Sequence, residues 1–463
     1  MSRLKVSSNY VEPLVMFATL LRWFLLASAT GIIAGLGTSL FLRALFASIE
    51  QTEKAPLWIH IILLPVGGLL NGLIIYYGYG KGKLRGKDSV IAAVHERGGT
   101  MPVKTGWIKP LAAIITLASG GSAGKEGPCA HIGGSLAAWF AKAIRLNAEM
   151  RKRMITCGIS AGFASVFGTP IAGTIYGIEV LTMGQLRYDL LFPAFVSGVA
   201  SFEISRWMGI PYFYYPFHGS TAGFDGLIIR IFVLGTLCGL VSWMFIELNE
   251  RFRLLFGWMQ RKWRLWQPSV PLFGGLILSV LILFLPADYL GLSLPLMDRA
   301  LNGEHIAFFA FFWKIVFVAI TLGSGFYGGI VTPQFVIGAA AGNVFAHLLH
   351  INPVLGAAIG MVAVVAASSN TPIAAIAMGF ELFGSSIGLY MLAACIPAYI
   401  MVGHRSVYPD QLVTFPKSLW MQLQAGVPLK NEHIHISYGV LKRIKRWQKH
   451  HVHRGAQPPG KRY

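Results

Sequence analysis

Long apolar runs broken by short basic connections set the pattern of this chain. Ala55–Gly80, APLWIHIILLPVGGLLNGLIIYYGYG, contains no Asp, Glu, Lys or Arg, and Gly226–Leu248 contains only Arg230 and Glu247. Runs of roughly 20 such residues predict membrane-spanning helices. Several occur in one chain, so the pattern predicts an all-α, polytopic membrane protein. The N-terminus does not read as a cleavable signal, because Ser2–Pro13 is polar and the apolar run that follows extends far past a short signal core.

The pattern is interrupted in a particular way. GGSAGKEGPCAHIGG, from Gly120 to Gly134, places a lysine, a glutamate and a histidine among glycines inside otherwise apolar sequence. The interruption has a counterpart in GSGFYGGIVTPQFVIGAAAG, where Pro333 and Gly338 stand to Pro128 and Gly133 at an offset of 205. Further on, Gly158–Val180 and Gly360–Leu382 share nine identities at an offset of 202, among them Thr-Pro-Ile-Ala and the glutamates Glu179 and Glu381. One unit of about 200 residues therefore occurs twice, roughly 17–205 and 226–413. Repeats in membrane transporters are often inverted, with the site at their interface and built from interrupted helices.

Each break has the same grammar: glycines, then a proline, then a short helix of small residues. Proline fits the first turn of a helix, where its missing N–H costs nothing, and glycines let the preceding backbone turn and approach a ligand. The product is a helix N-terminus with unpaired N–H groups at membrane depth. Such donors are tolerable where they line a cavity or hold something, and the helix dipole favours an anion there. Glu126 sits one or two residues before such a start, where its carboxylate can take the anion's place. A charged acid facing lipid costs roughly 2.5–3.5 kcal/mol or more, so it should face a protein-lined path. A side chain that mimics the anion and leaves when protonated is a gate. The plainer reading makes Glu126 a structural N-cap.

Composition and charge narrow the class. Hydrophobic residues make up 54% of the 463 and charged residues 13%, against about 25% charged in a soluble domain. The net charge of +20 is gathered in connections, Lys81–Lys87, Arg145–Arg153 and Arg251–Arg264, and in the tail Lys442–Tyr463. That is the distribution of cytoplasmic loops, and it points to anionic lipid rather than nucleic acid. The expected layout is a transmembrane core over 1–425 and a basic cytoplasmic tail over 426–463, with both termini cytoplasmic. Cys129, Cys157, Cys238 and Cys395 have no metal-ligand spacing and read as small packing residues. No metal or cofactor is implied. GGSAG also fits the G-x-S-x-G elbow of serine hydrolases, which would make the chain an intramembrane hydrolase with His131 as base. No strand precedes the motif, and a nucleophile elbow does not explain why the Gly-Pro break is duplicated.

At these residues the sequence resembles the CLC family of anion channels and proton-coupled anion exchangers, over roughly Thr19 to Thr414. GKEGP (Gly124–Pro128) resembles the family's G(K/R)EGP, which places the gating glutamate at Glu126. GIVTP (Gly329–Pro333) resembles GxFxP, with Val331 where phenylalanine is usual. GHRSVYPDQ (Gly403–Gln411) resembles the last membrane helix, whose tyrosine, here Tyr408, donates to the central anion. The resemblance implies two inverted helical repeats per subunit and a homodimer with one pore in each subunit, in a bacterial inner membrane. It implies anion contacts from Gly124, Lys125, Gly127 and Pro128, and from Gly329, Ile330, Val331, Thr332 and Tyr408. The backbone amides of Ile330 and Val331 would face the ion.

The family's first motif, GSGIP, is nearest to RGKDS, that is Arg85, Gly86, Lys87, Asp88 and Ser89; a gap-free count puts Arg85 at the anion-contacting serine, and a small shift puts Lys87 there. IEVL has Val180 where exchangers carry a second, inner glutamate, leaving Glu179 as a candidate on a proton path or as a cap. GGSAGKEG, FGTPIAGTIYGIEVL and VTPQFVIG resemble the fluoride-exporting branch, whereas Pro128 and Ile330 do not. The expected function is halide transport, chloride first, by a passive channel or an H+-coupled exchanger. A fluoride/H+ antiporter of the same family is the alternative. His131 is expected as a packed core histidine, and Lys125 either as a solvated loop lysine or as a residue that concentrates anions.

Overall fold

The computed structural model describes residues 8–80, 89–217, 226–432 and 435–436. Arg85, Gly86, Lys87, Asp88 and the basic stretch from Lys442 lie outside the described residues. Among the described residues sixteen α-helices fall into two series of eight. The first series is α1 (Ser8–Glu53), α2 (Leu57–Gly78), α3 (Val90–His95), α4 (Thr105–Ala118), α5 (Glu126–Ala143), α6 (Ala148–Phe167), α7 (Pro170–Glu179) and α8 (Leu191–Trp207). The second is α9 (Leu227–Lys262), α10 (Val270–Leu281), α11 (Leu294–Leu301), α12 (Ala310–Ser324), α13 (Val331–Leu348), α14 (Pro353–Ser368), α15 (Pro372–Phe383) and α16 (Gly388–Met401).

Among the described residues only Val11–Thr52, Leu57–Gly78 and Leu227–Lys262 are long and apolar enough to cross a membrane unaided. The other apolar helices are shorter, because glycine and proline cut the hydrophobic runs into pieces. The pieces pack in the same pairs in each half: α5 on α6 and α13 on α14, then α1 on α8 and α9 on α16. Equivalent termini are made from equivalent residues. Asn147 Oδ1 accepts from Met150 N at 2.9 Å to cap α6, and Asn352 Oδ1 accepts from Val354 N at 2.9 Å to cap α14. Gly133 and Gly158 let α5 and α6 touch, since a Cβ at either position would run into the other's carbonyl; Gly338 and Gly360 do the same for α13 and α14.

Across the halves, α2 meets α10, α7 meets α15 and α5 meets α13. These three elements each touch their own equivalent, which is what a two-fold pseudo-axis between the repeats produces. The outer surface stays apolar, with Phe284 82% and Trp207 80% exposed and Trp107, Ile229 and Phe17 also bare; exposed apolar residues on this scale suit lipid rather than water.

Past α16 the chain folds back on the body. β1 (Thr182–Met183) pairs in parallel with β2 (Leu412–Val413), and β2 pairs antiparallel with β4 (Val427–Pro428), while β3 (Met421–Gln422) pairs with β5 (His435–Ile436). The expected limit at residue 425 thus falls between two strands. Gln411, fully buried, donates through Nε2 to the carbonyls of Val180 and Ser369, each at 3.1 Å. It ties this segment to the ends of α7 and α14.

Candidate functional site

The two glycine-rich breaks meet. Gly124 N donates to Gly329 O at 2.7 Å and Gly329 N donates to Gly124 O at 2.7 Å, a single antiparallel bridge between the halves. Both glycines are needed for this approach, since a Cβ on Gly329 would lie 2.9 Å from Glu126 N and one on Gly124 would lie 3.0 Å from Pro333 Cδ. From this bridge α5 and α13 lead away. Pro128 and Pro333 stand in their first turns, where a helix has no acceptor for a backbone N–H.

Glu126 is the first residue of α5, with Lys125 as N-cap, so the helix starts one residue earlier than the sequence pattern suggests. Its side chain is fully buried. Oε1 accepts a hydrogen bond from the Thr332 hydroxyl, at the start of α13. Oε2 has no hydrogen-bond partner among the described residues. A carboxylate at such depth with one oxygen unmet is costly as an anion. The arrangement is therefore one that a change of protonation can undo.

Two cavities approach this point. The larger, about 410 Å³, is lined by Gly127, Ser89, His131, Val180 and Tyr408 among others. The smaller, about 70 Å³, is lined by Lys125, Thr332, Tyr212 and Phe335 among others. Glu126 lies in the chain between a residue of each and bonds to Thr332, so it stands in the wall that divides them. Lys125 is half-buried, with Nζ 4.9 Å from the centroid of the Phe46 ring; it is not a solvated loop lysine. Ile330 is the N-cap of α13, and Val331 is buried in its first turn.

Tyr408 lies on the wall of the larger cavity, and its hydroxyl shares a hydrogen bond with the Tyr176 hydroxyl at 3.2 Å. Tyr176 donates to Ser369 Oγ at 3.0 Å, and Ser369 donates to Gln334 Oε1 at 3.0 Å. A chain of hydroxyls thus runs from Tyr408 through α7 to the first turns of α13. The sequence reading missed Tyr176, although it lies in the IAGTIYGIEV stretch, because its equivalent in the second half is Met378 and repetition alone does not mark it.

Glu179 and Glu381 cap each other's helices. Glu179 accepts from Ile373 N at 3.2 Å and Ala374 N at 2.8 Å, at the start of α15. Glu381 accepts from Ile171 N at 3.0 Å and Ala172 N at 2.7 Å, at the start of α7. Each carboxylate satisfies donors that Pro170 or Pro372 leaves free at a helix start. Val180, the neighbour of Glu179, faces the larger cavity instead.

His131 Nε2 lies 3.0 Å from Lys109 Nζ. Ser122, the serine of GGSAG, follows a helix rather than a strand and accepts from Lys314 Nζ at 2.7 Å; among the described residues no hydrogen bond joins it to His131. The four cysteines are free and buried. Among the described residues no three His, Cys, Asp or Glu side chains are grouped to hold a metal.

A helical membrane body of two inverted halves, with a buried carboxylate where their broken helices meet between two cavities, defines an ion-transport protein. The sequence model of the voltage gated chloride channel family matches residues 67–403, and this chain belongs to that family, the CLC family its motifs resemble. It is 33% identical over 413 residues to the chloride/fluoride channel protein of Pseudomonas syringae pv. tomato, covering 88% of this chain and 90% of that one. It is 26% identical over 384 residues to a putative chloride channel protein ClcB-like of Ralstonia nicotianae, covering 79% of this chain and 88% of that one. Among solved structures, that of a CLC-type fluoride/proton antiporter superposes with TM-score 0.79 at 28% identity over 85% of this chain and 98% of that one. A slow cyanobacterial Cl-/H+ antiporter shares the fold, with TM-score 0.67 at 23% identity over 82% and 94% of the two chains.

Proposed function

We propose that the chain carries halide across the membrane through a pore gated by Glu126, with chloride as the main ion. The observation that carries this reading is the Glu126 carboxylate, buried at the Gly124–Gly329 bridge and bonded to Thr332 in the wall between two cavities. Ionised, it occupies the place of an anion at two facing helix starts. Protonated, it loses that attraction and leaves the place to the ion. The residues at the two helix starts, Gly124 to Pro128 and Gly329 to Thr332, would line the ion's place, with backbone donors from those other than Pro128 and the mutually bonded Gly124 and Gly329, and Tyr408 would supply a hydroxyl.

Pro128 and Ile330 favour chloride, because they keep the chloride-type pattern at the two helix starts. The fluoride/H+ antiporter is the second reading. It is favoured by the chain's likeness to a fluoride/proton antiporter at TM-score 0.79 and to a chloride/fluoride channel protein at 33% identity. Protons enter either reading through Glu126. Glu179 would have to release the first turn of α15 to carry them, and Val180 cannot carry them at all. These constraints favour passive or weakly coupled transport. The homodimer with one pore per subunit, the bacterial inner membrane, the transmembrane core over 1–425 and the cytoplasmic placement of both termini belong to the same proposal. Basic connections at Arg145–Arg153 and Arg251–Arg264 support the placement.

Halide efflux from liposomes, read by chloride- and fluoride-selective electrodes with proton flux alongside, tests this. Wild-type efflux should rise as pH falls, and Glu126→Gln should be fast at every pH and move no protons. Chloride and bromide should pass readily and fluoride poorly. Fluoride efflux much faster than chloride would establish the second reading, and a wild-type pH profile in Glu126→Gln would reduce Glu126 to a cap.

A further inference from the structure

Two lysines lie in the apolar core, and the gate as described uses neither. Lys109 of α4 and Lys314 of α12 stand at the 205-residue offset that relates the halves. Lys314 is fully enclosed. Its Nζ donates to the hydroxyls of Ser122 and Ser293, each at 2.7 Å, and to the carbonyls of Gly291 at 3.2 Å and Tyr289 at 3.3 Å. Four oxygens offset the cost of burying the group, but an apolar residue of the same length would avoid that cost altogether. Core packing alone does not account for a lysine here.

Ser122 and Tyr327 hold the same place in the two breaks, again 205 residues apart. Lys314 of the second half reaches Ser122 in the first break. Lys109 of the first half lies 5.1 Å from the centroid of the Tyr327 ring in the second. The backbone repeats the exchange: Ser122 N donates to Thr321 Oγ1 at 3.1 Å, and Tyr327 N donates to Asn71 Oδ1 at 3.2 Å. Each half holds the other half's break at one position. The first break also contains Gly120, Gly121 and Gly124, which leave its backbone little conformational preference of its own. What anchors it from outside therefore decides where α5 begins.

We propose that Lys314 is a positioning residue for the gate. Through Ser122 it fixes the first break against α12, and so fixes the point from which Glu126 reaches Thr332. The inference rests on the gate reading of Glu126. The titratable groups near Glu126 are Lys125 and Cys129 beside it in the chain, Tyr176 of α7 and Tyr408 beyond α16. Lys314 hydrogen-bonds to none of them, so its influence passes through Ser122.

The test is the pH profile of halide efflux from liposomes for wild type, Ser122→Ala, Ser293→Ala, Lys314→Met and Glu126→Gln. Each serine variant deletes one bond of 2.7 Å to the same nitrogen, but only Ser122 belongs to the break. Ser122→Ala should shift the midpoint of the profile by about half a pH unit or more, and Ser293→Ala should leave it in place. Lys314→Met should shift it at least as far as Ser122→Ala, and the double variant Lys314→Met, Ser122→Ala no further than Lys314→Met. Equal shifts from the two serines, or none from either, would make Lys314 a packing residue and overturn the proposal. If Lys314→Met fails to assemble, the serine contrast still decides. A pH profile retained in Glu126→Gln defeats the gate reading and this proposal together, whereas a profile lost there with both serines silent defeats this proposal alone.

Discussion

Gly124 and Gly329 hold one place in the two halves, and so do Pro128 and Pro333, yet the three residues between them differ throughout. Lys125 faces Ile330 in that comparison, Glu126 faces Val331, and Gly127 faces Thr332. The shared residues form what symmetry can form, two helix starts brought together by one pair of backbone hydrogen bonds. The unshared residues divide one interaction between the halves: the first supplies the carboxylate, and the second supplies the hydroxyl that bonds to it. Tyr176 and Met378 divide in the same manner, since only the first half offers Tyr408 a hydroxyl partner. The repeat sets positions, and its departures from repetition set chemistry.

Removing these departures one at a time tests that view. Thr332→Val deletes the hydroxyl bonded to Glu126 with little change of volume. A hydrogen bond to a charged group contributes about 1.5–3 kcal/mol, so halide efflux at neutral pH should rise about tenfold or more. Unchanged efflux would mean that the backbone alone holds the glutamate and that the second half adds no chemistry. Tyr408→Ala should weaken chloride binding about tenfold, the lower end of the scale for one hydrogen bond to a charged group, as read by titration calorimetry. Tyr176→Met gives the first half the second half's residue and should lower affinity less, about twofold. A larger loss from Tyr176→Met would make Tyr176 rather than Tyr408 the ion's partner.

The smallest effects are expected where the halves agree. Glu179→Gln and Glu381→Gln each leave one acceptor oxygen for a helix start, and each should cost about 1 kcal/mol in thermal unfolding of the detergent-solubilised protein. The two losses should match. Suppressed proton movement in Glu179→Gln, without suppression in Glu381→Gln, would assign Glu179 to a proton path and separate the pair.

Much of this was legible in the chain. The apolar runs, the doubled Gly-Pro break and the buried glutamate at its head predict a membrane ion carrier, and the family and the helical fold bear that out. Contacts between the halves were not legible, because periodicity describes one element at a time. Thr332 was expected as an anion contact, but nothing in GIVTP says that its hydroxyl turns to Glu126. Lys314 was overlooked although its signal is present. Lys-x5-Ile-Thr-Leu-x-Ser-Gly occurs from Lys109 to Gly120 and again from Lys314 to Gly325, upstream of the stretches whose identity drew attention. Glu179 was a candidate cap or proton carrier in the sequence, but that it and Glu381 each serve the other's helix follows only from the way the two halves meet.

That exchange of caps has a consequence during synthesis. Ile171 N and its acceptor Glu381 are separated by 210 residues. At about 5–20 residues per second the ribosome needs roughly 10–40 seconds to bridge that interval. Through that time α7 sits in the nascent chain with its first turn uncapped, and Glu179 has no helix to serve. The first half therefore cannot mature before the second is made, and a truncated product should present an unfinished helix end to the quality-control proteases of the membrane.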